Sequence, residues 1–189
     1  MKDIYTGDLV RLAAVEPEEF GKVFTRWNQD SEFMRLLNGE AIRLNSVVAN
    51  KKWIEKELEE QSPGLYPFSI RTLVTDQLIG DLILDVSSWN HREAFVGISI
   101  SERENWGRGY GTDAMKMLLR YAFTEVNLRR VALAVFEYNP RAIRSYEKAG
   151  FRHEGRLRKF LNREGRRWDM LFMSVLREEW MEQNQECLH

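Results

Sequence analysis

Three glycines in five residues, Gly107, Gly109 and Gly111, stand within Trp106-Gly107-Arg108-Gly109-Tyr110-Gly111-Thr112. Residues of this type at this spacing suit one piece of chemistry. Without Cβ atoms the chain can turn so that several backbone N–H groups point into one small space. A helix starting there adds its own unpaired N–H groups and the positive end of its dipole. Such a corner binds phosphate. The plain alternative is a tight turn that merely needs positive φ. Two familiar phosphate loops do not fit. A P-loop needs Gly-x-x-x-x-Gly-Lys-Ser/Thr, and no such run exists here. A dinucleotide fingerprint needs Gly-x-Gly-x-x-Gly in the first strand–helix unit, whereas these glycines follow Gly-x-Gly-x-Gly late in the chain.

The flanking segments must hold that corner. Before it, Ala94 to Ile100 is a β-rich apolar run. After it, from Thr112 to Thr124, Asp113, Lys116, Arg120 and Thr124 recur at spacings of three and four, while Ala114, Met115, Leu118, Leu119 and Ala122 fill the rest. That is a helix with one wet stripe. Arg130 to Phe136 is apolar on both faces, as a covered central strand is. Strand, helix and strand imply a right-handed parallel crossover. A further helix runs from Pro140 to Ala149, with Asn139 at the N-cap and Gly150 at C′. Its face of Ala142, Ile143, Tyr146 and Ala149 turns inward, while Arg141, Arg144, Glu147 and Lys148 look outward.

Elsewhere the pattern is equally readable. Leu9 to Ala14 is a first strand. Pro17 opens a helix whose inward face is Phe20, Val23, Phe24 and Trp27. A short helix from Ser31 to Leu37 ends at Asn38-Gly39. Ser46 caps a third, broken by Ser62-Pro63-Gly64. An antiparallel meander follows: Tyr66 to Leu73, Leu78 to Val86 and Ala94 to Ile100, turned at Thr75-Asp76-Gln77 and Ser87 to Arg92. The chain closes on a hairpin, Arg152 to Leu161 and Arg167 to Leu176, turned at Asn162-Arg163-Glu164-Gly165. The charged tail from Arg177 is expected to fray.

The 189 residues suit one domain, with a core from about residue 9 to residue 176. Net charge is −1, so no global charge argues for nucleic acid or an anionic membrane. Cys187 is the single cysteine, which excludes a disulfide framework and any Cys/His metal pattern. No run reaches membrane-spanning length and no apolar leader is visible at the start. A cytoplasmic protein without a bound metal is the expectation.

Strand, Trp-Gly-Arg-Gly-Tyr-Gly, helix, strand and then Asn139-Pro140-Arg141-Ala142-Ile143-Arg144-Ser145-Tyr146-Glu147-Lys148-Ala149-Gly150-Phe151 together resemble the GNAT superfamily of N-acetyltransferases. The resemblance points to the branch with ribosomal-protein N-terminal alanine and spermidine acetyltransferases. It implies an α/β (α+β) fold: a mixed, mostly antiparallel sheet of about six to seven strands, helices on both faces, and one splayed parallel pair. Acetyl-CoA is the implied co-substrate. Its diphosphate would lie on the backbone of Trp106, Gly107, Arg108, Gly109, Tyr110, Gly111 and Thr112, with Arg108 and the Thr112 hydroxyl assisting. Its pantetheine arm would run beside Ile98, Ser99 and Ile100, whose N–H groups are oxyanion donors. Asn139 would bond the arm, Arg144 and Lys148 would reach the adenosine phosphate, and Tyr146 would protonate the leaving thiolate.

The incoming amine must also lose a proton. Many relatives place a glutamate in the last meander strand, in the order Ala-Glu-Ile-Gly, but this chain reads Ala94-Phe95-Val96-Gly97. Glu93 is on the same face as Phe95, and Asp85, Asp169 or a water chain are the other candidates. The acceptor is a primary amine, on a small molecule or a protein N-terminus. Its site is expected between the N-terminal helices, the loop Ser87 to Arg92 and the hairpin end at Trp168-Asp169. Glu55, Glu57, Glu59 and Glu60 read as a solvated helix face. With no cysteine near the motifs, direct attack in a ternary complex is implied. The resemblance also makes a homodimer an expected assembly. The alternative function is a non-catalytic acyl-CoA-binding module on the same fold.

Overall fold

The chain folds as β1 (Val10–Ala13), α1 (Pro17–Trp27), α2 (Ser31–Leu37), α3 (Val47–Glu59), β2 (Leu65–Thr72), β3 (Leu78–Ser88), β4 (Glu93–Ile100), α4 (Tyr110–Thr124), β5 (Arg130–Phe136), α5 (Pro140–Ala149), β6 (Arg152–Arg163), β7 (Arg166–Leu176) and α6 (Arg177–Gln183). The structure is a computed structural model and describes residues 3–60 and 63–184. Seven strands form one sheet in the order β1-β2-β3-β4-β5-β7-β6. Every neighbouring pair is antiparallel except β4–β5.

Two apolar clusters cover the sheet. Met115, Leu118, Leu119 and Ala122 of α4 are buried against Leu82, Leu84, Val131 and Leu133. The second cluster joins Phe20 and Trp27 of α1, Phe33 and Met34 of α2, Ile54 of α3, and Leu78. The apolar spacing of α1 therefore does what its periodicity predicts, with Phe24 stacked on Trp53 at 5.8 Å. Local chemistry sets the helix ends. Ser46 Oγ accepts from Ala49 N–H, and Asn139 Oδ1 accepts from Ala142 N–H at 3.1 Å. The break after α3 falls partly on Ser62, which lies outside the described residues.

The structure corrects several expectations. The helix after the glycine corner begins at Tyr110, so Gly111 and Thr112 belong to its first turn. The closing hairpin turns on Glu164 and Gly165 alone, with φ of 53° and 72°. Two consecutive positive-φ residues match the twist of paired strands, so the strands run on to meet them. The tail does not fray at Arg177. It forms α6, where Glu179 accepts from Leu176 N–H and Trp180 is buried against Phe123. One large aromatic buried on the core outweighs the charge that made the segment look solvated. Cys187 and His189 lie outside the described residues.

The feature that positions the site is the parallel pair. β4 meets β5 only at Glu93↔Arg130, Ala94↔Val131 and Phe95↔Ala132. Beyond that point each strand stays with its other neighbour: β4 with β3 as far as Ile100, and β5 with β7 as far as Phe136. The pair therefore splays. The 3₁₀ turn Arg103–Asn105 follows β4, and α2 is tied to it by the Arg103–Asp30 pair, with bonds of 2.7 and 2.9 Å. Arg103 holds the Asp30 carboxyl at about 2. At its other end α2 is tied to the segment after β5 and to the hairpin turn. The Tyr138 hydroxyl donates to Arg35 O at 2.6 Å, Arg163 donates to Asn38 O at 3.0 Å, and Arg35 pairs with Glu164. Thus α2 crosses the gap that the strands leave open.

Candidate active site

A cleft of about 980 Å³ fills the splay, at the upper end of the roughly 300–1,000 Å³ common for ligand sites. Its β4 wall has an unpaired edge. Ser101 N–H bonds Ile79 O at 3.0 Å on the β3 side. Alternation then turns the N–H groups of Ile98 and Ile100 toward β5, where no strand meets them. The Ile100 carbonyl is taken by the Trp106 ring N–H at 2.7 Å. Ser99 differs from its neighbours: its backbone faces β3, and its hydroxyl donates to Asp81.

At the corner, Gly107 and Gly109 have φ of +74° and +90°. Both values lie where L side chains are strained, so these two glycines are needed by conformation. Gly109 is the N-cap of α4, with no side chain closing that helix end. Gly111 has ordinary φ, and a Cβ there would make only ordinary contacts with Ile100 and Ser145. The Thr112 hydroxyl is 2.8 Å from Ser145 Oγ, tying α4 to α5. Tyr110 is partly buried against the core. The corner end of the cleft carries Arg108, Lys116, Arg144 and Lys148. None of the four makes an ion pair among the described residues. Like charges gathered without partners repel one another, so their natural complement is a polyanion.

From α5, Asn139 is buried and spends its Oδ1 on the helix cap, while its amide nitrogen makes no hydrogen bond among the described residues. Tyr146 also reaches the cleft, its ring against Phe151, and its hydroxyl makes no hydrogen bond among the described residues. Burial pushes that phenol up to about 12, so it stays protonated through the neutral range. Arg141 does not look outward as its helical position suggests. It stacks on Trp106 with its guanidinium carbon 3.5 Å from the ring centroid, and burial pulls its pKa down.

The sequence-level candidates for the base are not brought together here. Glu93 lies below the splay, 3.8 Å from Arg130, and faces a separate surface depression with the loop Asn90 to Arg92. That loop is accordingly not part of the cleft. Asp85 is exposed on β3 opposite Phe95. Asp169 accepts from Lys159 N–H at 2.8 Å and from Arg156 at 3.0 Å, so it is spent on the hairpin. In their place the structure offers Asp81, half-buried on β3 with Ser99 donating to it, its carboxyl raised by desolvation to about 6. Ser99 lines the cleft and so links Asp81 to it. The strand pattern gave no sign of it, since its partner Ser99 stands 18 positions later in the chain. Among the described residues no cluster of His, Cys, Asp and Glu has the makings of a metal site. Among the described residues no helix is long and apolar enough to cross a membrane.

A splayed parallel pair with a glycine corner at its open end makes a cleft suited to an anionic ligand with an extended arm, and comparison with known proteins shows its family. The family model for the acetyltransferase (GNAT) domain matches residues 10–152, and the chain belongs to that family. An SPbeta prophage-derived uncharacterized N-acetyltransferase of Bacillus subtilis is 27% identical over 178 residues, 93% of this chain and 94% of that protein. The spermidine N(1)-acetyltransferase of Vibrio cholerae is 32% identical over 108 residues, 57% of this chain and 62% of that protein. The structure of spermidine N-acetyltransferase from Vibrio cholerae in complex with CoA and spermine superposes with a TM-score of 0.78 at 26% identity, covering 91% of this chain and 98% of that one.

Proposed function

We propose that this chain is an acetyl-CoA-dependent N-acetyltransferase that acylates a primary amine by direct attack in a ternary complex. The observation that carries the reading is the meeting of four cations without an ion pair among the described residues, Arg108, Lys116, Arg144 and Lys148, with the positive-φ glycine corner and the open edge of β4. A diphosphate fits the amides of residues 107 to 112, a further phosphate fits Arg144 and Lys148, and an amide-bearing arm fits Ile98, Ile100 and the free Asn139 nitrogen. Acetyl-CoA supplies an activated acetyl group when bound there. The N–H groups of Ile98 and Ile100 are aimed where a carbonyl oxygen would gain charge. The Tyr146 hydroxyl is the donor toward the departing sulfur. Burial that raises the phenol would raise a thiol in the same wall in the same direction.

Ser99 and Asp81 form the route for the amine's proton. The ammonium gives its proton to Ser99 Oγ as Ser99 passes its own to Asp81, leaving a neutral nucleophile. A carboxyl at about 6 accepts a proton more readily than one near 4. Asp81 ionises as pH rises through about 6, so kcat/KM for the amine should rise through the same range. Asp81→Asn is expected to erase that inflection and lower kcat/KM about a hundredfold, while the inflection set by the amine's own pKa persists at higher pH. Persistence of the lower inflection in Asp81→Asn would remove the relay. Stability gives an independent sign. A carboxyl raised by burial favours the fold below its unfolded value and loses that contribution as pH rises through about 6, so thermal unfolding of Asp81→Asn should lack the decline between pH 4 and pH 7.

A further inference from the structure

The end of the cleft under α2 is apolar. Phe33, Leu36 and Leu37 of α2 face Phe136 and Met170 across the gap, with Gly39 packed against Phe136 and Leu161. The carboxylates lining the cleft among the described residues are Asp8 and Asp113. Asp113 is engaged: it accepts from the N–H groups of Asp8, Leu9 and Val10, which keeps both acids at the α4 end. The acids on α2 are spent as well, Asp30 and Glu32 both on Arg103. Around the α2 end Glu164 is spent on Arg35. Arg163 has a buried Nε with no partner among the described residues, and Arg166 lies over Trp168 at 3.8 Å.

Resting on the acetyltransferase reading above, we infer that the acceptor is a primary amine attached to an apolar group, with no second cationic centre. The Ser99–Asp81 pair supplies one acid for one ammonium. A polyamine would bring a second ammonium against an apolar wall that no carboxylate of the described residues lines, and an unpaired buried charge is strongly disfavoured. An aromatic or branched aliphatic group in that place would instead displace water from Phe33, Leu37, Phe136 and Met170. Full burial of such a group favours it by at least about tenfold over an amine that leaves the wall empty.

The test measures CoA release and kcat/KM for phenethylamine, for a short peptide beginning with leucine and for spermidine, with acetyl-CoA affinity titrated in parallel. An apolar acceptor, free or peptide-borne, should exceed spermidine by at least about tenfold, and whichever of the two does so names the source. Leu37→Glu, at a position exposed enough to accept a charge, should shift the ratio toward spermidine by about tenfold or more. Spermidine used as well as or better than the apolar amines would overturn the inference and leave the acetyltransferase reading standing. Tight acetyl-CoA binding with turnover of none of the three would bring down both.

Discussion

Tyr146→Phe should lower kcat about a hundredfold, at the lower end of what a positioned proton donor contributes, while acetyl-CoA affinity changes less than about threefold. Tyr146 is held for this role by sequence and packing together. Asn139 and Pro140 start α5, Gly150 ends it with φ of +105°, and between them the tyrosine faces inward at the one place where the sheet is open. Its hydroxyl has no other duty among the described residues, unlike the Tyr138 hydroxyl, which donates to Arg35 O. Phenylalanine keeps the ring against Phe151 and removes only the O–H, so stability should hold. A phenol pushed up to about 12 stays loaded across the neutral range. No loss of activity from its ionisation should appear below about pH 10. Single-turnover measurement of CoA release separates the chemical step from product release. Unchanged turnover in Tyr146→Phe would reduce the residue to a core aromatic.

Gly109→Val should weaken acetyl-CoA binding by at least about a hundredfold. A β-branched residue at φ of +90° is strained by about 1–2 kcal/mol or more, and its Cβ would lie 3.2 Å from Leu9 Cδ1. The backbone relieves both by leaving the left-handed region, which turns the amides of residues 107 to 112 out of register with a diphosphate. Each 1.4 kcal/mol is tenfold in affinity, so strain and two lost amide contacts account for the size. Gly111→Ala is the internal control, since its Cβ has room and its φ is ordinary. Calorimetric titration with acetyl-CoA should therefore separate two glycines that look alike in the sequence.

That contrast shows what the sequence could carry. The glycine corner, the Asn139 cap, the inward Tyr146 and the parallel crossover were legible because each depends on neighbours within about ten residues. Gly107 and Gly111 were not distinguishable, because positive φ is a property of the folded loop. Glu93 drew attention by lying two residues from Phe95, yet the parallel pairing closes that end of β4 and hands Glu93 to Arg130. Asp81 is one polar position on β3 that no local pattern singles out. Its importance comes from Ser99 across the ladder. Arg141 looked solvated on α5 until Trp106, 35 positions earlier in the chain, came beneath it. Likewise α6 was hidden by its charge, since one buried tryptophan is a weak signal in a polar tail. Contacts of long sequence separation set the cleft's far side, and these no local pattern reports.

A structure determined with CoA bound tests the central claim most directly. The diphosphate should accept hydrogen bonds from the amides of residues 107 to 112, with the arm between β4 and β5 within reach of Ile98, Ile100 and Asn139. CoA seated elsewhere on the chain, or a cleft left empty at saturating CoA, would contradict it.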